Sequence, residues 1–161
     1  MGEPKILVVD DDPDIFEIVE TNLVGAGYSV VRADDGAEGL RKVRSEQPDL
    51  VILDVLMPEL TGWEVLAKIE ADPATAGIPV IMLTCKSEDH DVLRGLEEGA
   101  VEYLTKPFYP ENLVASVKIL LGVFDRAMRD ERRLQLIARR RRLIAATSTA
   151  PLPKVAPRGL G

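Results

Sequence analysis

Leu50-Val51-Ile52-Leu53-Asp54 is a short apolar run that closes on a carboxylate. Ile6-Leu7-Val8-Val9 repeats the pattern roughly forty residues earlier and closes on Asp10-Asp11-Asp12. A third run, Val80-Ile81-Met82-Leu83, ends at Thr84, and Val101–Thr105 leads into Lys106-Pro107. Continuous β-branched runs this short are what strands covered on both faces look like. The strand candidates are Lys5–Asp10, Ser29–Ala33, Leu50–Asp54, Val80–Thr84 and Val101–Thr105. The intervening segments carry helical spacing. Their apolar stripes are Ile15/Ile18/Val19/Leu23, Ala37/Leu40/Val43, Val65/Leu66/Ile69, Val92/Leu93/Leu96 and Leu113/Val117/Leu120/Phe124. Pro13 and Pro110 suit helix starts, and Gly25, Gly27, Gly77 and Gly99 fall near helix ends. Five strand–helix units predict an α/β fold, a five-stranded parallel sheet doubly wound with five helices. In such sheets ligands bind beyond the carboxyl ends of the strands. All the polar residues that close these runs fall at that edge.

Of the 161 residues, 46% are hydrophobic and 4% aromatic, the composition of an ordinary globular chain. No apolar stretch approaches the ~18 residues of a membrane span. The N-terminus enters a strand almost at once, so no signal peptide is expected. One Cys and one His exclude an internal disulfide, speak against zinc and fit a reducing, cytoplasmic setting. The net charge of −7 is unevenly spread. Residues 1–125 hold 10 basic against 25 acidic side chains, whereas residues 126–161 hold 10 basic against 2 acidic. The acidic body is a poor nucleic-acid binder. The basic tail is suited to an acidic partner, a phosphate backbone, a membrane surface or its own body.

The edge residues suit phosphoryl chemistry. Asp54 is placed as a nucleophile that holds a phosphoryl group as an acyl phosphate. Charge on the transferred oxygens needs neutralising, and Mg²⁺ suits this because it takes one or two carboxylates and keeps several waters. Asp11 and Asp54 are the expected direct ligands, Asp10 acts through water, and the Leu56 backbone carbonyl completes the protein's share. Lys106 supplies positive charge to a phosphate oxygen, and Thr84 a hydroxyl donor. Asp12, just before Pro13, reads as a helix cap. Three carboxylates at one edge repel one another unless a cation joins them.

The pieces ILVVDDDP, LVILDVLMPELTGWE, VIMLTCKS and GAVEYLTKPF, in this order and spacing, resemble the receiver domain of two-component response regulators. The resemblance covers roughly residues 4–122. It implies the flavodoxin-like receiver fold and a phosphorelay function. Asp54 is then the acceptor of phosphate from a histidine kinase or phosphotransfer protein, and Asp10 and Asp11 are the Mg²⁺-holding pair. Thr84 and Tyr103 are the switch pair, and Lys106, joined to Pro107 by a cis bond, contacts the phosphate. Met57-Pro58 and Gly62 resemble the loop after the acceptor. Cys85 stands where the family usually has Ala and reads as a small space-filler. Leu56 and Lys86 flank the phosphate without a carboxylate or amide to orient water, which predicts slow self-dephosphorylation. Arg94 and Glu102 suit an ion-pair network on the face of the fourth helix, fifth strand and fifth helix. Ser116 stands where transcription-factor relatives often carry Arg, which weakens the case for their usual dimer.

The expected organisation is a receiver over 1–122, a basic helical extension of the fifth helix over 123–146 and a disordered tail over 147–161. Nothing after the receiver resembles a helix-turn-helix, so a stand-alone receiver is expected. Its output would be docking or self-association, as a homodimer through the fourth-helix/fifth-strand/fifth-helix face and the extended helix. In that helix Phe124, Met128, Leu134 and Ile137 form a seam flanked by arginines. Nucleic-acid binding through Arg139-Arg140-Arg141-Arg142 is disfavoured, since such a run gives only sequence-independent attraction. A module that no longer uses phosphate is the alternative, and the intact Asp10, Asp11, Asp54, Thr84 and Lys106 set speaks against it. A phosphatase with an aspartate nucleophile is disfavoured, because Leu56 occupies the place of its second acid. Catalysis beyond self-phosphorylation and self-dephosphorylation is not expected.

Overall fold

A computed structural model describes residues 3–84, 97, 99, 100, 102–122 and 126–147. Five parallel strands form one sheet in the order β2-β1-β3-β4-β5. They are β1 Lys5–Val9, β2 Ser29–Ala33, β3 Leu50–Leu53, β4 Val80–Thr84 and β5 Glu102–Thr105. The described helices are α1 Pro13–Gly25, α2 Gly36–Glu46, α3 Gly62–Ala71, α4 Pro110–Gly122 and α5 Arg126–Thr147. The helix expected around Val92, Leu93 and Leu96 lies outside the described residues, as do Cys85, Lys86, Arg94, Phe124 and residues 148–161. The helix expected fifth along the chain is therefore α4.

Alternation along each strand divides the core in two. Leu7, Val9, Val51, Leu53, Val80 and Met82 face one cluster with Val43, Val65, Leu66 and Ile69 of α2 and α3. Ile6, Val8, Leu50, Ile52, Ile81 and Leu83 face the other with Val19, Leu23, Leu113, Val117 and Leu120 of α1 and α4. Each such aliphatic side chain, fully buried, contributes ~1.5–3 kcal/mol by leaving water. Both faces of β1, β3 and β4 are thereby sealed, and the strands' carboxyl ends remain as the polar opening.

β1 and β3 end one residue before Asp10 and Asp54 rather than on them. Both aspartates still donate their backbone N–H to the neighbouring strand, Asp10 to the Ala33 carbonyl at 3.2 Å and Asp54 to the Val9 carbonyl at 3.0 Å. Each carboxylate thus leaves the last backbone unit the sheet anchors. Two helical stripes shift from expectation. Ile18 is 43% exposed, because at 100° per residue it falls on the margin of a face centred on Ile15 and Val19. α2 buries Gly36, Gly39 and Val43, and Ala37 is exposed. A Cβ on Gly39 would stand 3.0 Å from both Cγ atoms of Val9, so the missing side chain lets α2 lie close to the sheet.

Candidate functional site

Asp12 caps α1 by accepting from the Asp14 N–H at 2.9 Å, and its own N–H donates to Asp10 Oδ1 at 2.9 Å. The cap that starts the helix therefore also orients the buried Asp10. Across the edge, the Leu56 N–H donates to Asp54 Oδ1 at 3.3 Å. The loop after Asp54 is pinned where Gly62 N–H meets the Val55 carbonyl at 3.0 Å. A Cβ on Gly62 would stand 2.2 Å from the Asp54 carbonyl oxygen, closer than any side chain tolerates. Behind it, Thr61 and Glu64 form a reciprocal capping box that starts α3.

One carboxylate oxygen each from Asp10, Asp11 and Asp54 lies within 4.8 Å of the others. Asp10 and Asp54 are buried and Asp11 is exposed, so the cluster opens to solvent on one side. Lys106 follows β5 and enters by a cis peptide to Pro107. Its Nζ sits 3.2 Å from Asp10 Oδ2 and 3.6 Å from Asp54 Oδ2. It thus bridges both acids and leans toward Asp10. Desolvation, reinforced by the charge of Asp10, pushes the Asp54 carboxyl up to about 6. Lys106 and the Leu56 N–H pull it down by less, and Asp11 raises it slightly. One lysine does not cancel three acids, which leaves net negative charge that a hard cation would neutralise. Oxygen donors this close, open on one side, fit a Mg²⁺ that keeps waters.

The remaining sequence candidates lie on the same edge. Thr84 closes β4 in register with Thr105, and Tyr103 pairs with Met82 one strand over. Tyr103 is half-buried against the α2/α3 core cluster. Leu56 is 53% exposed at the mouth. The steric roles of Gly36 and Gly39, and the hold of Asp12 on Asp10, were missed from the sequence. The signal for the glycines was a GAEG start to a helix with few large apolar residues.

The family model of the response regulator receiver domain matches residues 6–118. The DNA-binding dual master transcriptional regulator RpaA of Synechocystis sp. is 44% identical over 123 residues, 76% of this chain and 51% of that protein. The alkaline phosphatase synthesis transcriptional regulatory protein PhoP of Bacillus subtilis is 45% identical over 117 residues, 73% of this chain and 48% of that protein. The chain spans about half the length of the curated relatives it matches. Among solved structures, a putative response regulator from Chloroflexus aurantiacus superposes with a TM-score of 0.72 at 39% identity, covering 75% of this chain and 99% of that one. Chemotaxis protein CheY4 of Vibrio cholerae gives 0.70 at 35% identity, covering 74% and 100%.

Proposed function

We propose, because this chain belongs to the response regulator receiver domain family and carries the site just described, that it works as a phosphorylation-controlled signalling switch. The observation that carries the reading is the convergence of Asp10, Asp11, Asp54 and Lys106 at one sheet edge. An Asp54 oxygen attacks the phosphorus of a phosphohistidine on a histidine kinase or phosphotransfer protein. The P–N bond breaks as the P–O bond forms, and the imidazole leaves with its electron pair. Asp10, Asp11, Asp54 and the Leu56 carbonyl would hold Mg²⁺, which supplies charge neutralisation on the transferred oxygens. Lys106, already between Asp10 and Asp54, is placed to move onto a phosphate oxygen.

The phosphoryl group then biases a two-state element rather than building a new one. Thr84 would donate to the phosphate, and Tyr103, half-buried beside β4, would move inward. Output follows by partner docking or self-association. Turnover is limited to gaining phosphate from small acyl phosphates and losing it to water. No helix among the described residues is long and apolar enough to cross a membrane. The single Cys and the family together support action in the cytoplasm.

The test is mass spectrometry of the full chain after acetyl phosphate and Mg²⁺. One added phosphoryl group is expected, lost in Asp54→Asn. Phosphorylation that persists in that variant, or none in the parent under conditions where Mg²⁺ binds, overturns the reading.

A further inference from the structure

Helix α5 is the most basic part of the chain, yet it does not stand free of the acidic body. Arg141 Nη2 donates to Glu97 Oε2, a contact across 44 residues of sequence. Glu97 sits just before Gly99 and Ala100, on the approach to β5. Among the described side chains of α5, only Ile137 and Ile144 are shielded from solvent; Leu134 and Leu143 are 58% and 43% exposed. Ile137, Arg141 and Ile144 are spaced four and three residues apart, so they share one helix face. The ion pair turns this face toward the body; Leu134, seven residues before Arg141, lies on it too and is exposed, so the half-buried part of the face runs from Ile137 to Ile144. Charge supports this orientation: residues 126–161 hold 10 basic against 2 acidic side chains, and residues 1–125 hold 10 against 25.

The geometry points to an interaction surface at Glu97 that fits a basic amphipathic helix and whose occupant is this chain's own α5. The helix folds back and covers the approach to β5 through Ile137, Arg141 and Ile144. Two half-buried isoleucines and one surface ion pair make a weak seam, the kind that opens locally without unfolding the body. A partner that takes the Glu97 surface must displace α5, and displacement releases the Arg139–Arg142 run for other contacts. The inference does not rest on phosphoryl transfer at Asp54.

Amide hydrogen exchange over residues 134–147 of the full chain tests it. A detached helix of this length frays in water, so a docked α5 should be protected. Arg141→Glu should reduce that protection about two- to fivefold, the scale of a surface pair. The double variant Glu97→Arg/Arg141→Glu should restore it. Arg142→Glu makes the same charge change off the docking face and should leave protection in place. Salt at ~0.5 M should act like Arg141→Glu, since screening shortens electrostatic reach to a few ångströms. Equal effects of Arg141→Glu and Arg142→Glu, or failure of the double variant to restore protection, would overturn the proposal. Protection that falls on dilution would also overturn it, by assigning the surface to a second copy.

Discussion

Replacing Asp54 with Asn should make the metal-free protein more stable, although it destroys the proposed acceptor. Burial and the neighbouring Asp10 raise this carboxyl from its ordinary 3.8 to about 6. A folded-state value above the unfolded one means that the folded chain holds the proton more tightly. The cost of ionising Asp54 is therefore absent well below 3.8, accumulates between 3.8 and about 6, and is complete above that. At ~1.4 kcal/mol per tenfold change in proton affinity, the full cost is up to ~3 kcal/mol. Asn also loses the attraction of Lys106 at 3.6 Å, but Lys106 keeps Asp10 at 3.2 Å. A net gain of ~1–3 kcal/mol at pH 8 is expected, or about 2–4 °C in Tm per kcal/mol for a chain of this size. By the same linkage, the gain should shrink to about a third at pH 4.5. The assay is urea unfolding in EDTA, followed by the fluorescence of Trp63, the one tryptophan, which is buried. Acidic groups elsewhere whose values are lowered, such as Glu38 and Glu64, lose stabilising contacts as pH falls. Taking the difference between variant and parent at each pH cancels them. A variant no more stable than the parent at pH 8, or an advantage that grows on acidification, would refute the electrostatic account of the site.

Other outcomes follow from the same geometry. Mg²⁺ should raise the parent's unfolding midpoint, and calorimetry should show at least a tenfold weaker Mg²⁺ affinity in Asp11→Asn, on the scale of losing one carboxylate ligand (about 1.4 kcal/mol). Lys106→Met should destabilise the metal-free protein by ~1–3 kcal/mol at pH 8, since it leaves Asp10 and Asp54 without their shared cation, and equilibrium unfolding should show a smaller loss at pH 5. Gly62→Ala would put a Cβ 2.2 Å from the Asp54 carbonyl oxygen. Its cost should be ~1–3 kcal/mol or more by thermal unfolding, with acetyl phosphate labelling reduced because the acceptor loop is displaced. The phosphorylated chain should lose its phosphate over minutes or longer, as Leu56 offers water no hydrogen-bond acceptor; a half-life of seconds in a phosphate-release assay would contradict this.

Where side-chain alternation and burial both acted on a segment, the sequence was sufficient. β2 and β4 run as their residues indicate, and β1 and β3 differ only in their last residue. The reason is that a strand sealed on both faces must be apolar throughout, so its polar terminus marks its end. The order β2-β1-β3-β4-β5 was not legible, because hydrophobic runs carry no record of their neighbours. On α2, Leu40 and Val43 face the core as expected, and Ala37 was misread for a related reason. Hydrophobic periodicity counts side chains, and Gly36 and Gly39 pack by having none. Of the homodimer seam expected through Leu134 and Ile137, Leu134 is exposed and Ile137 half-buried, and both lie on the helix face of Arg141.

The site was legible for a different reason: its charges are too costly to be accidental. Asp10 and Asp54 are both buried, and burying two like charges is tolerated only where something repays it. Lys106 repays part, and its lean toward Asp10 leaves Asp54 the less compensated of the two. That imbalance is useful in a phosphoryl acceptor. A carboxylate already neutralised by a lysine would be a poor nucleophile, whereas one held in place by a Leu56 N–H and short of positive charge gains most from a cation that also gathers phosphate oxygens. With a phosphoryl group attached as proposed, Asp54 would no longer carry its own carboxylate charge, and the new negative charge would lie on oxygens farther out. Lys106 then has reason to leave Asp10 and follow it. Movement of this half-buried lysine, 3.2 Å from Asp10 and 3.6 Å from Asp54, would be an electrostatic step that couples chemistry at β3 to the end of β5. Tyr103, on β5, lies three residues before that lysine. If Lys106→Met kept both phosphorylation and a phosphorylation-dependent change in the near-ultraviolet signal of Tyr103, this coupling would have to run through another residue.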